Sequence, residues 1–147
     1  MKYFELDTQS QFDEKNLCLA IGNFDGFHKG HIAILNSLKK IANEKNQLTA
    51  IMSFNPHPRE FFENKNENFN IYSKLDKINF LKKFGIDIYI EFIFDKNLSD
   101  LTANEFVKNI LVDKLDIKNV VVGKDFKFGK NRSGNFKTLD NFSKENN

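Results

Sequence analysis

Several residue types are scarce in this sequence, and each scarcity excludes a class of protein. A single cysteine cannot form an intramolecular disulfide, and Cys18 lies in the apolar run Leu17–Ile21, which predicts a buried thiol in a reducing compartment. No run approaches the roughly 18 apolar residues of a membrane span. Residues 1–10 carry acidic side chains and lack the apolar centre of a signal peptide. We therefore expect a cytoplasmic protein without membrane contact.

The sequence also has no large excess of charge of either sign, because 22 basic and 20 acidic residues leave a formal net charge of only +2. A protein that grips nucleic acid by its phosphates needs a strongly basic face. We therefore expect no nucleic-acid partner. The 147 residues, 40% hydrophobic and 29% charged, suit one globular domain that buries roughly two thirds of its unfolded surface.

The residues with unusual backbone or proton chemistry are few, and they are concentrated. Three segments hold all three histidines, both prolines, both arginines and six of the seven glycines: residues 22–31, 53–62 and 121–134. Binding and catalytic residues are disproportionately found in such segments when a rigid scaffold positions them. These three segments are therefore the candidate site.

Apolar patterning predicts strands that alternate with helices. The predicted strands cover residues 17–21, 48–54, 86–94 and 119–122. One helix follows the first segment, with Ile32, Leu35, Leu38, Ile41 and Ala42 at helical spacing. A second is capped by Ser73 with Asp76 and ended by Gly85, and a third is capped by Thr102 with Glu105. Residues 64–70 are predicted to be a surface loop, and residues 141–147 a polar tail.

This alternation indicates an α/β protein whose parallel sheet carries helices on both faces. Ligands of such sheets bind beyond the carboxyl ends of the strands. All three candidate segments follow a predicted strand, so we expect them to converge at one edge of the sheet.

The first segment, GNFDGFHKGH, joins a strand to a helix, so unpaired N–H groups at the helix start point into it. Gly26 and Gly30 would let backbone approach a ligand closely, and His28 and His31 can project toward one anion. Neither GxGxxG nor a Walker A pattern is present. Helix capping by the histidines, or a zinc site completed by His57, are the alternatives.

The second segment contains Pro-His-Pro-Arg, in which two prolines fix the backbone around His57. Arg59 could bind a phosphate through two parallel hydrogen bonds. The alternative is a stiff turn whose Phe61 and Phe62 cover the core.

The third segment, VVGKDFKFGKNRSG, alternates Phe126 and Phe128 beside glycines and could present an aromatic surface to a flat ring. Single-stranded nucleic acid is the alternative ligand of such a loop, and the near-neutral charge argues against it.

Together, the three segments resemble the bacterial FAD synthetases. GNFDGFHKGH is similar to the HxGH motif of the adenylyl and cytidylyl transferase superfamily, FNPHPREFF to the FxPHPREFF segment and VGKDFKFGKNRSG to the VGxDFxFGxxRSG pattern. The resemblance covers about residues 17–139. It implies a Rossmann-like nucleotidyltransferase fold and the transfer of AMP from ATP to FMN, which yields FAD and pyrophosphate.

The resemblance also implies roles for individual residues. The histidines that would contact the triphosphate and stabilise charge at the α-phosphorus are His28 and His31. Residues implied to bind ATP phosphates are Gly22, Asn23, Phe24, Gly26 and Gly30. Residues implied to lie by the nucleotide and flavin pockets are Asn55, Pro56, His57, Pro58, Arg59 and Phe62. Residues implied to form the flavin pocket are Gly123, Asp125, Phe126, Phe128 and Arg132.

Mg²⁺ is expected to accompany ATP, without protein ligands that the sequence identifies. The family continues with an SSTxIR-like motif and usually a riboflavin kinase domain, neither of which is present in these residues. We therefore expect residues 1–147 to be an adenylyltransferase domain that is incomplete at its C-terminus. A flavin- or nucleotide-binding module without turnover, or a related transferase with another acceptor, are the alternative functions.

Overall fold

The computed structural model describes residues 1–63 and 72–146, so the predicted loop at 64–70 lies outside the described residues. The described residues contain five strands: β1 (Lys2–Leu6), β2 (Leu17–Ile21), β3 (Leu48–Asn55), β4 (Ile88–Ile93) and β5 (Ile117–Val121). Every strand pairing is parallel, and the strand order is β1-β4-β3-β2-β5. Because β3 and β5 flank β2, the direction in which the chain crosses the sheet reverses beside β2.

Helices connect the strands. Their bounds are α1 (Lys29–Lys45), α2 (Pro58–Glu63), α3 (Lys74–Phe84), α4 (Lys96–Ser99), α5 (Ala103–Glu105), a π-helical segment (Phe106–Lys114), a 3₁₀ turn (Lys130–Arg132) and α6 (Phe136–Asn146). One apolar cluster joins the sheet to α1 and α3, and the other joins its opposite face to α4, α5, the π-helical segment and α6. The predicted α/β fold with helices on both faces is confirmed.

The helix caps predicted from the sequence are observed as hydrogen bonds in the structure. Ser73 and Asp76 form a reciprocal capping box at the start of α3, and Gly85 ends that helix with a φ of 93°. Thr102 and Glu105 cap α5 in the same way. The predicted burial of Cys18 is also confirmed, and this burial raises the pKa of its thiol to about 11.

Several elements were not predicted, among them β1, the short helix α2 and the C-terminal helix α6. β1 has only five residues, two of them charged, so its apolar pattern is weak, yet it pairs along its length with β4. The prediction of a polar tail at 141–147 was wrong up to residue 146, because α6 extends through it and places Leu139 and Phe142 against the core. Asn135 and Thr138 exchange hydrogen bonds at the start of α6.

Smaller differences concern element boundaries. β4 is shorter than predicted, because the N–H of Ile86 donates to the Leu81 carbonyl and still belongs to the end of α3. β5 begins two residues earlier than predicted and ends one residue earlier. In the described part of the chain, no helix is long and apolar enough to cross a membrane.

Candidate active site

The three candidate segments leave the carboxyl ends of β2, β3 and β5, which are neighbours in the sheet. Because the strands are parallel, the segments emerge at the same edge, as predicted. We call residues 22–28 the first loop, residues 55–59 the second loop and residues 122–135 the third loop.

The first loop has a strained backbone. Phe24 and Phe27 have positive φ angles of 52° and 44°, although both side chains are buried. The left-handed region costs a residue other than glycine about 1–2 kcal/mol. The surrounding contacts must therefore hold the first loop in this conformation.

His28 is the N-cap of α1. Its Nδ1 accepts a hydrogen bond of 3.1 Å from the N–H of Gly30. A Cβ on residue 30 would lie 3.0 Å from His28 Cε1, so glycine allows this close approach. The capping alternative is therefore confirmed for His28, and the cap leaves Nε2 of the imidazole available to a ligand.

His31 is the third residue of α1, and its ring stacks on His28 with 3.6 Å between the ring centroids. Its Nδ1 is buried and has no hydrogen-bond partner among the described residues. Burial, followed by the neighbouring His28, lowers the pKa of His31. The neutral imidazole is therefore favoured in the folded protein.

These contacts favour one tautomer for each member of the histidine pair, His28 and His31. An Nδ1 that accepts a hydrogen bond carries no proton, so neutral His28 is protonated at Nε2. For His31, an unpaired buried N–H is rarer than an unpaired acceptor, which also favours a proton at Nε2. The start of α1 therefore carries two Nε2–H donors beside its unpaired backbone N–H groups, an arrangement suited to an anion.

The second loop begins with a cis peptide bond between Asn55 and Pro56. His57 Nδ1 accepts a hydrogen bond of 3.1 Å from the N–H of Arg59, in the first turn of α2. Pro58 is the first residue of α2, a position where the missing N–H has no helical partner to lose. The predicted rigid corner is therefore also a helix start, and burial lowers the pKa of His57.

Asn55 is held by a buried carboxylate on β4. Its Nδ2 donates a hydrogen bond of 2.6 Å to Glu91 Oε1, and the hydroxyl of Tyr3 donates to Glu91 Oε2 at 2.9 Å. Lys74 forms an ion pair with the same carboxylate at 3.4 Å. β1, although absent from the prediction, thus supports the second loop through Tyr3.

The third loop folds back on itself. Phe128 and Gly134 exchange backbone hydrogen bonds, and Phe126 stacks on Phe128 with 5.5 Å between the centroids. Gly129 has a φ of 76°, and a Cβ there would lie 2.7 Å from Ala103 Cα. This loop therefore rests directly on the start of α5.

A cavity of about 990 Å³ opens between the three loops. Six phenylalanines line it: Phe54, Phe62, Phe94, Phe106, Phe126 and Phe128. Polar side chains at its wall are Asn23, His57, Arg59, Glu63, Ser99, Lys127, Asn131 and Arg132. We call it the aromatic cavity, and its size and mixed lining are those of a small-molecule site.

The cavity brings together half of the predicted site residues. Those that line it are Gly22, Asn23, His57, Pro58, Arg59, Phe62, Phe126, Phe128 and Arg132. Those that do not are Phe24, Gly26, His28, Gly30, His31, Asn55, Pro56, Gly123 and Asp125. The histidine pair therefore lies at the far end of the first loop, whose beginning forms a wall of the cavity.

Several cavity residues were missed because they look like ordinary core residues in the sequence. Phe94 follows β4, and Phe106 begins the π-helical segment. For Phe94 the available signal was topological, since any residue just beyond the carboxyl end of a parallel strand is a candidate. No such signal marks Phe106, which begins a helical segment far from any strand end.

A zinc site formed by the histidines is not supported. No group of three or more histidine, cysteine, aspartate or glutamate side chains in the described ranges could hold a metal ion. His28 and His57 also use Nδ1 in helix caps.

The fold and the three loops define an α/β protein with a candidate ligand cavity beyond the carboxyl ends of parallel strands. The model of the FAD synthetase family matches residues 10–147, and the chain belongs to this family. The resemblance inferred from the three motifs is thereby confirmed.

Curated relatives carry the name bifunctional riboflavin kinase/FMN adenylyltransferase. The protein of Buchnera aphidicola subsp. Schizaphis graminum is 42% identical over 124 residues, which is 84% of this chain and 40% of the relative. The Haemophilus influenzae protein is 40% identical over 126 residues, 86% of this chain and 41% of the relative. This chain thus spans about two fifths of their length.

A crystal structure titled as a macrolide-efflux protein from Streptococcus pneumoniae superposes with a TM-score of 0.81. The match covers 97% of this chain and 47% of that one, at 22% identity. At this identity the likeness shows the fold alone, which agrees with the predicted Rossmann-like α/β fold.

Proposed function

We propose that this chain is an FMN adenylyltransferase, which transfers AMP from ATP to FMN and releases pyrophosphate. The observation that carries the proposal is the first loop itself. It begins as a wall of the aromatic cavity at Gly22 and Asn23, and it ends at the histidine pair on the N-terminus of α1. One short segment can therefore align a ring system in the cavity with a triphosphate at the helix start.

In the proposed reaction, an oxygen of the FMN phosphate attacks the α-phosphorus of ATP. A new phosphorus–oxygen bond forms as the bond to the leaving pyrophosphate breaks, so no side-chain nucleophile is needed. The Nε2–H groups of His28 and His31 would donate to the triphosphate oxygens as charge shifts. The N–H groups at the start of α1 would support the same charge.

The flavin ring is proposed to occupy the aromatic cavity. Phe126 and Phe62 offer ring faces or edges to it, and Arg132 and Arg59 can meet its phosphate. Two arginines in the cavity lining, one from the second loop and one from the third, suit a dianionic phosphate better than the uncharged chain end of riboflavin. This supports FMN as the acceptor.

Mg²⁺ would be held mainly by the substrate phosphates, because the described residues provide no cluster of protein ligands for it. Bound there, the ion would neutralise charge on the β- and γ-phosphates. Of the two activities in the relatives' name, only adenylyl transfer is proposed for these residues.

The test is to incubate the protein with ATP, FMN and MgCl₂ and to separate the flavins by chromatography. FAD and pyrophosphate in equal amounts are expected. Riboflavin in place of FMN is the matched control, because it lacks the attacking phosphate and should give no adenylylated product. FMN binding without product would favour the binding-module alternative, and pyrophosphate release with a different acceptor would favour the related transferase.

A further inference from the structure

Two charged side chains are buried in the part of the chain that the structure describes: Lys77, 6% exposed, and Glu91, 5% exposed. A charge is expensive to bury unless it is paired and hydrogen-bonded. Glu91 is accounted for by Asn55, Tyr3 and Lys74. Lys77 has no role in the function proposed above, so the burial of its charged side chain needs an explanation.

The partners of Lys77 belong to the first loop and to β4. Its Nζ donates a hydrogen bond of 3.4 Å to Asn23 Oδ1. Burial lowers the pKa of Lys77, whereas the carboxylates of Asp25 and Glu91 favour its charged form. The ammonium group therefore lies near the carboxylate that holds Asn55 and also near two side chains of the first loop.

Helix α3 and the residue before its cap hold the first loop at two further points. The N–H of Tyr72 donates a hydrogen bond of 2.7 Å to Asp25 Oδ1. Phe80 stacks on Phe27 with 3.9 Å between the centroids. Contacts from the α3 region therefore reach the beginning, middle and end of a loop whose backbone is strained at Phe24 and Phe27.

We propose that Lys77 is a positioning residue, whose buried ammonium fixes Asn23 and Asp25 of the first loop relative to the Glu91–Asn55 pair of the second loop. The histidine pair is thereby held at a defined place beside the cavity. The expected effect of Lys77 on turnover rests on the proposed function. The expected effect of Lys77 on the pKa of nearby histidines is independent of that function.

Two histidines report on Lys77 directly. His31 faces His28, Asp25 and Lys77, and the lysine acts on it in the direction of the neutral form. The charged groups that face His57 are Glu60, Lys77, Arg59 and Asp25. Asp25 and Lys77 therefore act electrostatically on both His31 and His57. The Lys77 ammonium group is thus within electrostatic reach of the first and the second loop.

The decisive comparison is between Lys77→Met and Lys74→Met. Both lysines lie on α3 and act on Glu91, but Lys74 is exposed and turns toward Tyr3 and Glu5. Lys77→Met should raise the pKa of His31 and His57 in an NMR titration of the ring Cε1–H signals, and Lys74→Met should leave both unchanged. Because misplaced groups lose turnover, Lys77→Met should also lower kcat by at least about tenfold, with KM for ATP changed less than about threefold.

Lys77→Gln covers the case in which the methionine variant does not fold. It removes the charge but keeps a donor for Asn23, so it should raise both histidine pKa values and lose less kcat. Unchanged histidine titrations in a folded Lys77 variant would overturn the proposal, as would equal losses of kcat in the Lys77 and Lys74 variants. If the unmodified protein makes no FAD, the proposed function fails, and the titrations still decide the position of Lys77.

Discussion

The histidine pair is oriented by a hydrogen-bonded helix cap, whereas the phenylalanines of the aromatic cavity pack mainly on one another. His28 caps α1 and supports His31 from one side, with its Nδ1 fixed by a single N–H. In the cavity, Phe128 packs on both Phe126 and Phe106. A hydrogen bond fixes the orientation of a side chain, whereas ring packing supplies buried apolar contact area.

The difference separates two tasks of one site. Interactions that strengthen only in the transition state raise turnover, and contacts made equally throughout the reaction raise affinity. We therefore expect the histidine pair to govern kcat and the aromatic cavity to govern the binding of FMN. Each of the following variants tests one side of this division.

The largest effect is expected from His31→Ala. Loss of one donor to a developing charge typically costs about 3 kcal/mol, or roughly a hundredfold in kcat. The Kd for FMN, followed by flavin fluorescence, should stay near that of the unmodified protein.

His28→Asn is the companion variant, because asparagine can still cap α1 but brings no imidazole. It should therefore lose kcat without losing helix stability. Near-normal turnover in both variants would refute the role assigned to the histidine pair.

A second prediction concerns the support of the third loop. Gly129→Ala forces a side chain into the left-handed region and against Ala103 backbone, so it should lower the free energy of unfolding by about 2–4 kcal/mol. Gly123→Ala is the matched control, since its Cβ would meet only Ile34 Cδ1 at 3.8 Å. Urea unfolding of both variants measures the difference, and equal stability would mean that the close contact is easily relieved.

A third prediction concerns affinity alone. Phe62 is 65% exposed and lines the cavity, so Phe62→Ala should leave stability nearly unchanged and weaken FMN binding about tenfold, or about 1.4 kcal/mol. Leu75 is equally exposed and lies on α3 outside the cavity, which makes Leu75→Ala the control. A large fall in kcat at saturating FMN would break the division of tasks.

The smallest expected effect is on stability at mildly acidic pH. The pKa of His31 and that of His57 are below the usual 6.5 in the folded state, mainly because of burial. As pH falls through about 6.5, the unfolded chain binds protons that the folded chain does not, so the free energy of unfolding decreases. The double variant His31→Gln, His57→Gln should show a shallower decrease between pH 7.5 and 5 in thermal unfolding. An identical slope would exclude these two groups as its source.

The sequence predicted the features that depend on local chemistry. The strand Leu17–Ile21, the Ser73 capping box and the Gly85 helix end each follow from a few neighbouring residues. Convergence of the three loops followed from one topological rule, because a parallel sheet sends all its carboxyl ends to the same edge.

Features that depend on distant partners could not be predicted. β1 is stabilised by its pairing with β4, and α6 is stabilised by the few side chains that pack against the core. Phe94 and Phe106 become cavity residues only when the second and third loops fold over them. The buried position of Lys77 likewise requires the first loop on one side and β4 on the other.

The pairing of β1 with β4 sets an order of events when the chain is made. Tyr3 and Glu91, which join the two strands through a hydrogen bond, are 88 positions apart. At about 5–20 residues per second, β1 waits roughly five to twenty seconds after its synthesis before its partner exists. In that interval β2, α1 and β3 can already dock through nearby contacts, so we expect the sheet to begin at the β2–β3 pair. β1 can join only once β4 has been made, and β5, which is made later still, completes the other edge.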